Sequence, residues 1–225
     1  MRLTIATSWP YPHLGGISTH IRLLKRALER QGHSVTVVSG GARAPELGGL
    51  AGEELHKTAF ATQLLTAAAD ADAILAEDVL AVDAVREGLQ WRHTPLVLTT
   101  HGYLAGESLG GGICDDGDAY YEYLLGTERR AYQAADEVVA VADRVAAHIR
   151  NICPRDVHVI ENAVETDVLH PPTPAQKAVL RARFGFGNTP VLVFAGRLAP
   201  VKGLDVAIKA LTLIPEGARP TLVLA

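Results

Sequence analysis

The residues Leu3-Thr4-Ile5-Ala6-Thr7 are followed by a helical pattern over residues 17–31 and then by Ser34-Val35-Thr36-Val37-Val38. Short β-branched runs on either side of a longer amphipathic segment are typical of a strand–helix–strand unit. The helical segment places apolar side chains, among them Ile21 and Leu24, on one face. Two strands joined by a helix lie parallel in one sheet, so this unit predicts an α/β protein.

The same alternation continues along the chain. Apolar runs predict further strands at residues 73–76, 96–100, 137–141 and 157–160. Helical patterns lie between them or beside them, at residues 53–70, 79–89, 119–134 and 144–151. Strands that alternate with helices predict a doubly wound, Rossmann-like parallel sheet. A glycine-rich segment at residues 102–117 is expected to be a loop, with a lid as one function and a surface connection as the alternative.

A composition break at residues 170–174 contains three prolines and predicts a stiff connection. We therefore expect a first domain over residues 1–170 and the beginning of a second over residues 171–225. The second is predicted to contain a helix, a strand, a helix and a strand, at residues 174–184, 191–195, 204–213 and 221–224. Such a unit is too small to cover both faces of a sheet, so the second Rossmann-like domain is expected to be incomplete.

Composition excludes several classes of function. The chain has 225 residues and a net charge of −4, so no overall basic charge favours a nucleic-acid partner. Its two cysteines, Cys114 and Cys153, lack the spacing of a structural zinc site and fit a reducing compartment. No apolar run approaches the ~20 residues that span a bilayer, and the predicted location is cytoplasmic.

Two glycines, Gly15 and Gly16, end the loop before the first helix. They do not form the Gly-x-Gly-x-x-Gly fingerprint of dinucleotide-binding proteins, which argues against hydride transfer. Residues without side chains directly before a helix let backbone N–H groups approach a ligand, with the positive end of the helix dipole behind them. The pair favours an anionic or hydroxyl-rich ligand, and a flexible entry to the helix is the alternative.

Histidines fall near the same edge of the predicted sheet. His101 directly follows the strand at residues 96–100, and Gly102 after it permits an unusual turn. Because open α/β sheets bind ligands at the carboxyl ends of their strands, His101 is a candidate ligand contact, and His20 is expected nearby. No spacing typical of a metal site or of a catalytic triad is present, so no metal ligands are predicted.

Two cations of the second unit, Arg197 and Lys202, fall in the turn between a strand and a helix. An arginine can bind phosphate oxygens bidentately, and a lysine adds a movable point charge. Together they suit a diphosphate, although solvated surface charge is the alternative. The Gly-Lys-Ser/Thr of a Walker A loop does not occur there, which argues against nucleotide hydrolysis.

An ordered set of motifs carries a resemblance to a known family. In chain order the motifs are Gly15-Gly16, Gln31-Gly32-His33-Ser34-Val35, Thr100-His101-Gly102, Ala135-Asp136-Glu137-Val138-Val139-Ala140-Val141, Ile160-Glu161-Asn162-Ala163-Val164-Glu165, and Phe194-Ala195-Gly196-Arg197-Leu198 with Lys202-Gly203. Through these motifs the chain resembles group 1 glycosyltransferases, family 4, of the GT-B fold, over essentially its whole length.

The resemblance implies two Rossmann-like domains that face each other across a cleft. The first would chiefly bind the acceptor, and the second would bind the nucleotide-diphosphate sugar that serves as donor. Transfer in this family retains the anomeric configuration and usually needs no metal, and no other cofactor is implied. The acceptor itself stays open between a small molecule, a glycan and a lipid-linked sugar.

The resemblance also implies roles for individual residues. Gly15 and Gly16 would contact donor phosphate or acceptor through backbone amides, and His101 would hydrogen-bond the transferred sugar. Asn162 would help to shape the cleft, and His20 is grouped with it as a substrate-binding residue. Arg197 and Lys202 would stabilise the departing diphosphate, where negative charge develops.

Several alternatives stay open at the level of the sequence. The family's paired glutamates would come after Ala225, so the chain is expected to be an inactive fragment of a larger enzyme. A non-catalytic acceptor-binding or carbohydrate-binding module, or a half-enzyme that needs a partner, is the main alternative. A GT-B epimerase or phosphorylase is a third, although no signature of either is present.

Two kinds of association also stay open. A basic face on the first helix suggests peripheral contact with an anionic membrane, at its inner face, and a solvated helix face is the alternative. The residues of this face are Arg22, Lys25, Arg26 and Arg30. The sequence is equally compatible with a homo-oligomer.

Overall fold

The computed structural model describes residues 1–41, 49–89 and 93–225. The chain forms two compact units, Met1–Ala163 and Val164–Ala225. The domain boundary expected after residue 170 falls within the second of them.

The first unit is built on a six-stranded parallel sheet in the order β2-β1-β3-β4-β5-β6. Its strands are β1 (Arg2–Thr7), β2 (Ser34–Ser39), β3 (Ala73–Ala76), β4 (Leu96–Thr100), β5 (Glu137–Ala140) and β6 (His158–Val159). The predicted α/β fold with a doubly wound parallel sheet is confirmed. The strand order reverses between β1 and β3, and open sheets of this kind bind ligands at that reversal, beyond the carboxyl ends of the strands.

Helices cover both faces of this sheet. They are α1 (Gly16–Arg30), α2 (Gly49–Ala67), α3 (Val79–Gly88), α4 (Leu104–Gly110), α5 (Ala119–Ala134) and α6 (Asp143–Ile152). Side chains alternate across a strand, so Leu3 and Ile5 of β1 pack with Ile21 of α1, whereas Ala6 belongs to the larger core under α2, α3, α5 and α6. Each face of the sheet therefore has its own apolar cluster.

Helix α4 corrects the expectation that residues 102–117 form a loop. Glycines at positions 106 and 110 lower its intrinsic helix propensity, which hid it in the sequence. Tertiary contacts stabilise it instead. The buried carboxylate of Glu128 accepts a hydrogen bond from the backbone N–H of Leu104 (2.5 Å), and Ala105 and Ser108 are buried.

The second unit contains α7 (Pro174–Arg183), β7 (Val191–Phe194), α8 (Leu204–Thr212) and β8 (Thr221–Leu224). Strands β7 and β8 pair in parallel and form a two-stranded sheet. Thr173 and Gln176 form a capping box at the start of α7. Residues 164–225 are all described, and none of them is buried.

Helices α2 and α3 approach each other closely at Gly88. A Cβ atom at this position would lie 2.5 Å from the carbonyl oxygen of Ala61. We therefore expect Gly88→Ala to lower the free energy of unfolding by about 1–3 kcal/mol, the range typical of an overpacked core. Urea denaturation followed by circular dichroism measures this change.

The matched control is Gly110→Ala, at the last residue of α4, because nothing lies within 4 Å of a Cβ added there. This substitution should leave stability unchanged or raise it by up to about 1 kcal/mol. Equal effects of the two substitutions would contradict the close approach of α2 and α3.

Candidate active site at the carboxyl edge of the sheet

One carboxylate holds the start of the loop from β1 to α1. The side chain of Asp78 accepts hydrogen bonds from Thr7 Oγ1 (2.9 Å) and from the backbone N–H of Ser8 (2.8 Å). Its other oxygen accepts from the N–H of Ala81 (2.8 Å) and caps α3. The chain that leaves β1 is thereby tied to the chain that leaves β3, at the reversal of strand order.

The two glycines predicted to meet a ligand lie at the start of α1. Gly15 is the N-cap residue, Gly16 is the first helical residue, and no side chain caps the helix. An added Cβ on Gly16 would meet nothing within 4 Å. The first turn therefore presents backbone N–H groups without a capping side chain, an arrangement that favours an anion or a hydroxyl oxygen.

Two predicted histidines meet at one buried carboxylate. Nε2 of His101, directly after β4, lies 3.1 Å from Oε2 of Glu77, and Nε2 of His20, in α1, lies 3.3 Å from the same oxygen. The two imidazole rings are in edge contact, with centroids 4.8 Å apart. The structure thus places His101 beside the helix that begins at Gly16.

Asn162 follows β6 and joins this cluster through its side-chain amide. Its Oδ1 lies 2.9 Å from Nδ1 of His20. Three residues predicted to contact substrate, namely His20, His101 and Asn162, are therefore brought together at the carboxyl edge of one sheet, although they come from separate parts of the chain. Together with Glu77, these residues form a group that we call the edge cluster: His20, Glu77, His101 and Asn162.

Sequence reasoning missed Glu77. It directly follows the predicted strand at residues 73–76, the same position relative to a strand that singled out His101, and this positional signal could have found it. Its side chain is fully buried. Its role as the shared partner of two histidines depends on tertiary structure, since His20 and His101 lie far from it in sequence.

A second buried carboxylate supports the segment after His101. Besides accepting from the N–H of Leu104, Glu128 contacts Nε2 of His148 at 3.4 Å. The ring of His148 lies in turn against Tyr103, with centroids 4.4 Å apart. Burial raises the pKa of the Glu128 carboxyl above its ordinary value, and the neighbouring His148 opposes this rise. Helices α5 and α6 thus hold the chain that follows the edge cluster.

The predicted phosphate-binding cations lie in the second unit, between β7 and α8. Arg197 and Lys202 are both exposed, and Lys202 ends a short 3₁₀ helix, Pro200–Lys202. Gly203 follows with φ of 64°, a left-handed conformation that favours glycine, and then begins α8 as its N-cap. Two accessible cations therefore share one turn after a strand.

The basic face of α1 is partly engaged within the fold. Nζ of Lys25 donates to the carbonyl oxygen of Val35 (2.8 Å) and contacts the carboxylate of Glu29. This weakens the interpretation of that face as a membrane-binding surface. None of the described helices is long and apolar enough to cross a bilayer.

Comparison with known families identifies the family of the chain. The model of Glycosyltransferase Family 4 matches residues 14–168, which include every member of the edge cluster. The chain belongs to this family. The resemblance drawn from the sequence motifs is thus confirmed.

Two curated relatives of this family 4 chain match over about half of it or less. Alpha-maltose-1-phosphate synthase of Mycolicibacterium smegmatis is 33% identical over 126 residues, which are 52% of this chain and 30% of the relative. D-inositol 3-phosphate glycosyltransferase of Xylanimonas cellulosilytica is 32% identical over 99 residues, which are 41% of this chain and 24% of the relative. Each match thus spans less than a third of the relative.

Solved structures share the GT-B fold with the family 4 chain. Sucrose-phosphate synthase of Thermosynechococcus elongatus has a TM-score of 0.77 at 15% identity, over 100% of this chain and 62% of that one. HepE of Anabaena, in complex with UDP and glucose, has a TM-score of 0.69 at 18% identity, over 99% of this chain and 60% of that one. At such identities the likeness shows the fold alone.

Proposed function

We propose that the chain takes part in a retaining, metal-independent glycosyl transfer from a nucleotide-diphosphate sugar to a hydroxyl-bearing acceptor. One observation carries the proposal. A family 4 chain holds His101 and His20 together, beside the uncapped start of α1, at the point where the strand order of its sheet reverses.

The donor is proposed from chemistry and from a structural relative. The HepE structures contain UDP with glucose, or UDP-glucose. In this chain, the N–H groups at the start of α1 suit phosphate or sugar oxygens, and a histidine ring beside them suits a sugar hydroxyl. We assign the first role to the backbone of Gly15 and Gly16 and the second to His101.

Arg197 and Lys202 are proposed to act on the leaving group. When the bond from the anomeric carbon to the phosphate oxygen breaks, its electron pair stays with the nucleoside diphosphate, so negative charge grows there. Cations that contact those oxygens stabilise the transition state more than the ground state. The exposed positions of both side chains leave them accessible to such a ligand.

A non-catalytic carbohydrate-binding module is the alternative function. It would bind the acceptor or another carbohydrate at the edge cluster without consuming a donor. The two cations in one turn favour catalysis, because a binding module has no departing diphosphate to stabilise.

The function is tested by release of nucleoside diphosphate from a panel of UDP-, ADP- and GDP-sugars. The acceptor panel includes phosphorylated sugars and polyols, since the name of each curated relative contains a phosphorylated sugar or polyol. The assay uses the 225-residue chain and, in parallel, the product of its full reading frame. We expect acceptor-dependent release from one donor by the product of the full reading frame, whereas binding without release in both preparations would support the alternative.

A further inference from the structure

Glu77 is a buried carboxylate that lacks part of its hydrogen-bonding partners in the described ranges of the chain. Its side chain is fully buried, and among the described residues its Oε1 has no hydrogen-bond partner. Its Oε2 is approached by the Nε2 atoms of His101 and His20, at 3.1 and 3.3 Å. A buried carboxylate is costly unless a positive charge or a set of hydrogen bonds compensates it.

The hydrogen bond of His20 sets its tautomer. Nδ1 of His20 lies 2.9 Å from Oδ1 of Asn162, and an amide oxygen can only accept, so the ring proton lies on Nδ1. The Nε2 atom of the neutral ring then carries a lone pair. This buried Nε2 has no hydrogen bond within the described part of the chain, and it lies 3.3 Å from a carboxylate oxygen. Two electron-rich atoms at this distance call for a positive charge between them, either a proton or a metal cation.

A metal-binding histidine usually shows the same arrangement. Its second ring nitrogen donates to a carbonyl or carboxylate oxygen, which orients the ring and directs the other lone pair at the metal. Asn162 supplies that oxygen for His20. One donor atom from each of His20, Glu77 and His101 lies within 4.8 Å of the others.

We propose that His20, Glu77 and His101 bind one divalent late first-row metal ion, with Zn²⁺ as the best fit. Imidazole and carboxylate donors suit Zn²⁺, whereas Mg²⁺ and Ca²⁺ prefer oxygen ligands alone. Ligand atoms of a tetrahedral Zn²⁺ site are about 3.3 Å apart, given bonds of about 2.0–2.1 Å. The two contacts of Glu77 Oε2, at 3.1 and 3.3 Å, are close to that spacing.

The proposed site is partly exposed through its two histidines. The side chains of His101 and His20 are 13% and 21% exposed, whereas Glu77 is fully enclosed beneath them. Three protein ligands leave a fourth coordination position of a tetrahedral ion free. A bound ion would be coordinated by the His101 ring. The proposed transfer uses the same ring to hydrogen-bond the donor sugar. Binding of the metal and binding of the donor sugar are therefore expected to be mutually exclusive, so the metal inhibits and takes no part in the transfer.

The test measures Zn²⁺ binding by the 225-residue chain in competition with a chromophoric chelator, with Co²⁺ absorption as a second readout. We expect one ion per chain. His20→Ala and Glu77→Gln should each weaken binding at least about tenfold, because loss of a direct ligand costs no less than loss of an outer-shell partner. The Co²⁺ spectrum of the wild type should show the intense visible bands of a low-coordinate site, and both variants should lose them.

The matched control is His158→Ala. His158 and Glu137 form an exposed imidazole–carboxylate pair, with Nε2 and Oε2 3.0 Å apart, but they belong to no group of three ligands among the described residues. This variant should bind Zn²⁺ as the wild type does. Circular dichroism checks the fold of each variant, and if Glu77→Gln does not fold, the partly exposed His20→Ala decides the outcome.

Two results would contradict the proposed metal site. One is wild-type chain that fails to bind Zn²⁺ at micromolar concentrations. The other is binding that survives unchanged in the folded His20 and Glu77 variants, because the compensating charge at Glu77 would then be a proton and the metal would lie elsewhere. Neither result bears on nucleoside diphosphate release, so this proposal and the proposed function can fail separately.

Discussion

Arg197→Ala and Lys202→Ala are each expected to lower the rate of sugar transfer about 100-fold or more, the usual cost of removing one preorganised contact to developing charge. Both side chains are exposed, so neither substitution should alter the fold. Arg197→Lys should recover little of the lost rate, because a lysine cannot replace the planar, bidentate guanidinium. Steady-state kinetics of the full-length gene product, with a saturating donor, measure these effects.

Lys209→Ala provides the matched control for these variants. Lys209 is an exposed cation of α8, and its ammonium pairs with Asp205 of the same helix (3.3 Å). Removing it changes the net charge as Lys202→Ala does but leaves the turn before α8 intact. Near-normal turnover in the Arg197 and Lys202 variants, or an equal loss in the control, would remove both residues from the mechanism.

His101→Ala is expected to lower transfer from the intact nucleotide sugar about 100-fold, since one hydrogen-bond donor to the reacting sugar is lost. Affinity for the free nucleoside diphosphate should change little, because the proposed contact of His101 is to the sugar. Calorimetry with the nucleoside diphosphate and kinetics with the full donor measure the two quantities separately.

The control for His101 is again the exposed His158→Ala, which should retain both activities. Equal weakening of nucleoside diphosphate binding and of transfer by His101→Ala would place the ring against the nucleotide instead. An unchanged transfer rate would exclude His101 from the site.

Local pattern was sufficient for most of the fold. The strands at residues 73–76 and 96–100 and the helix at residues 119–134 begin and end where the sequence predicted. The two strands are short apolar runs followed by a polar residue, and the helix is preceded by Asp118, so local and tertiary preferences agree. Helix α4 was missed for the opposite reason, because its stability depends on the remote Glu128 and not on its own glycine-containing sequence.

The candidate site likewise contains residues that local sequence position predicts and contacts that depend on tertiary structure. Position after a strand or before a helix was enough to single out Gly15, Gly16 and His101. The pairing of His20 with Asn162, which are 142 residues apart, depends on the path of the chain after β6 and has no signature in local spacing. The environment of the Glu77 carboxylate depends likewise on His20 and His101, which belong to other parts of the fold.

Proton NMR of the anomeric signals during transfer tests the central claim most directly. The full-length gene product is incubated with the donor that releases nucleoside diphosphate in the panel assay, and the configuration of the new glycosidic bond is observed as it forms. We predict that the donor is consumed, that the anomeric configuration is retained, and that the His101→Ala variant accumulates product about 100-fold more slowly. An inverted product, or equal rates for wild type and variant, would contradict the account.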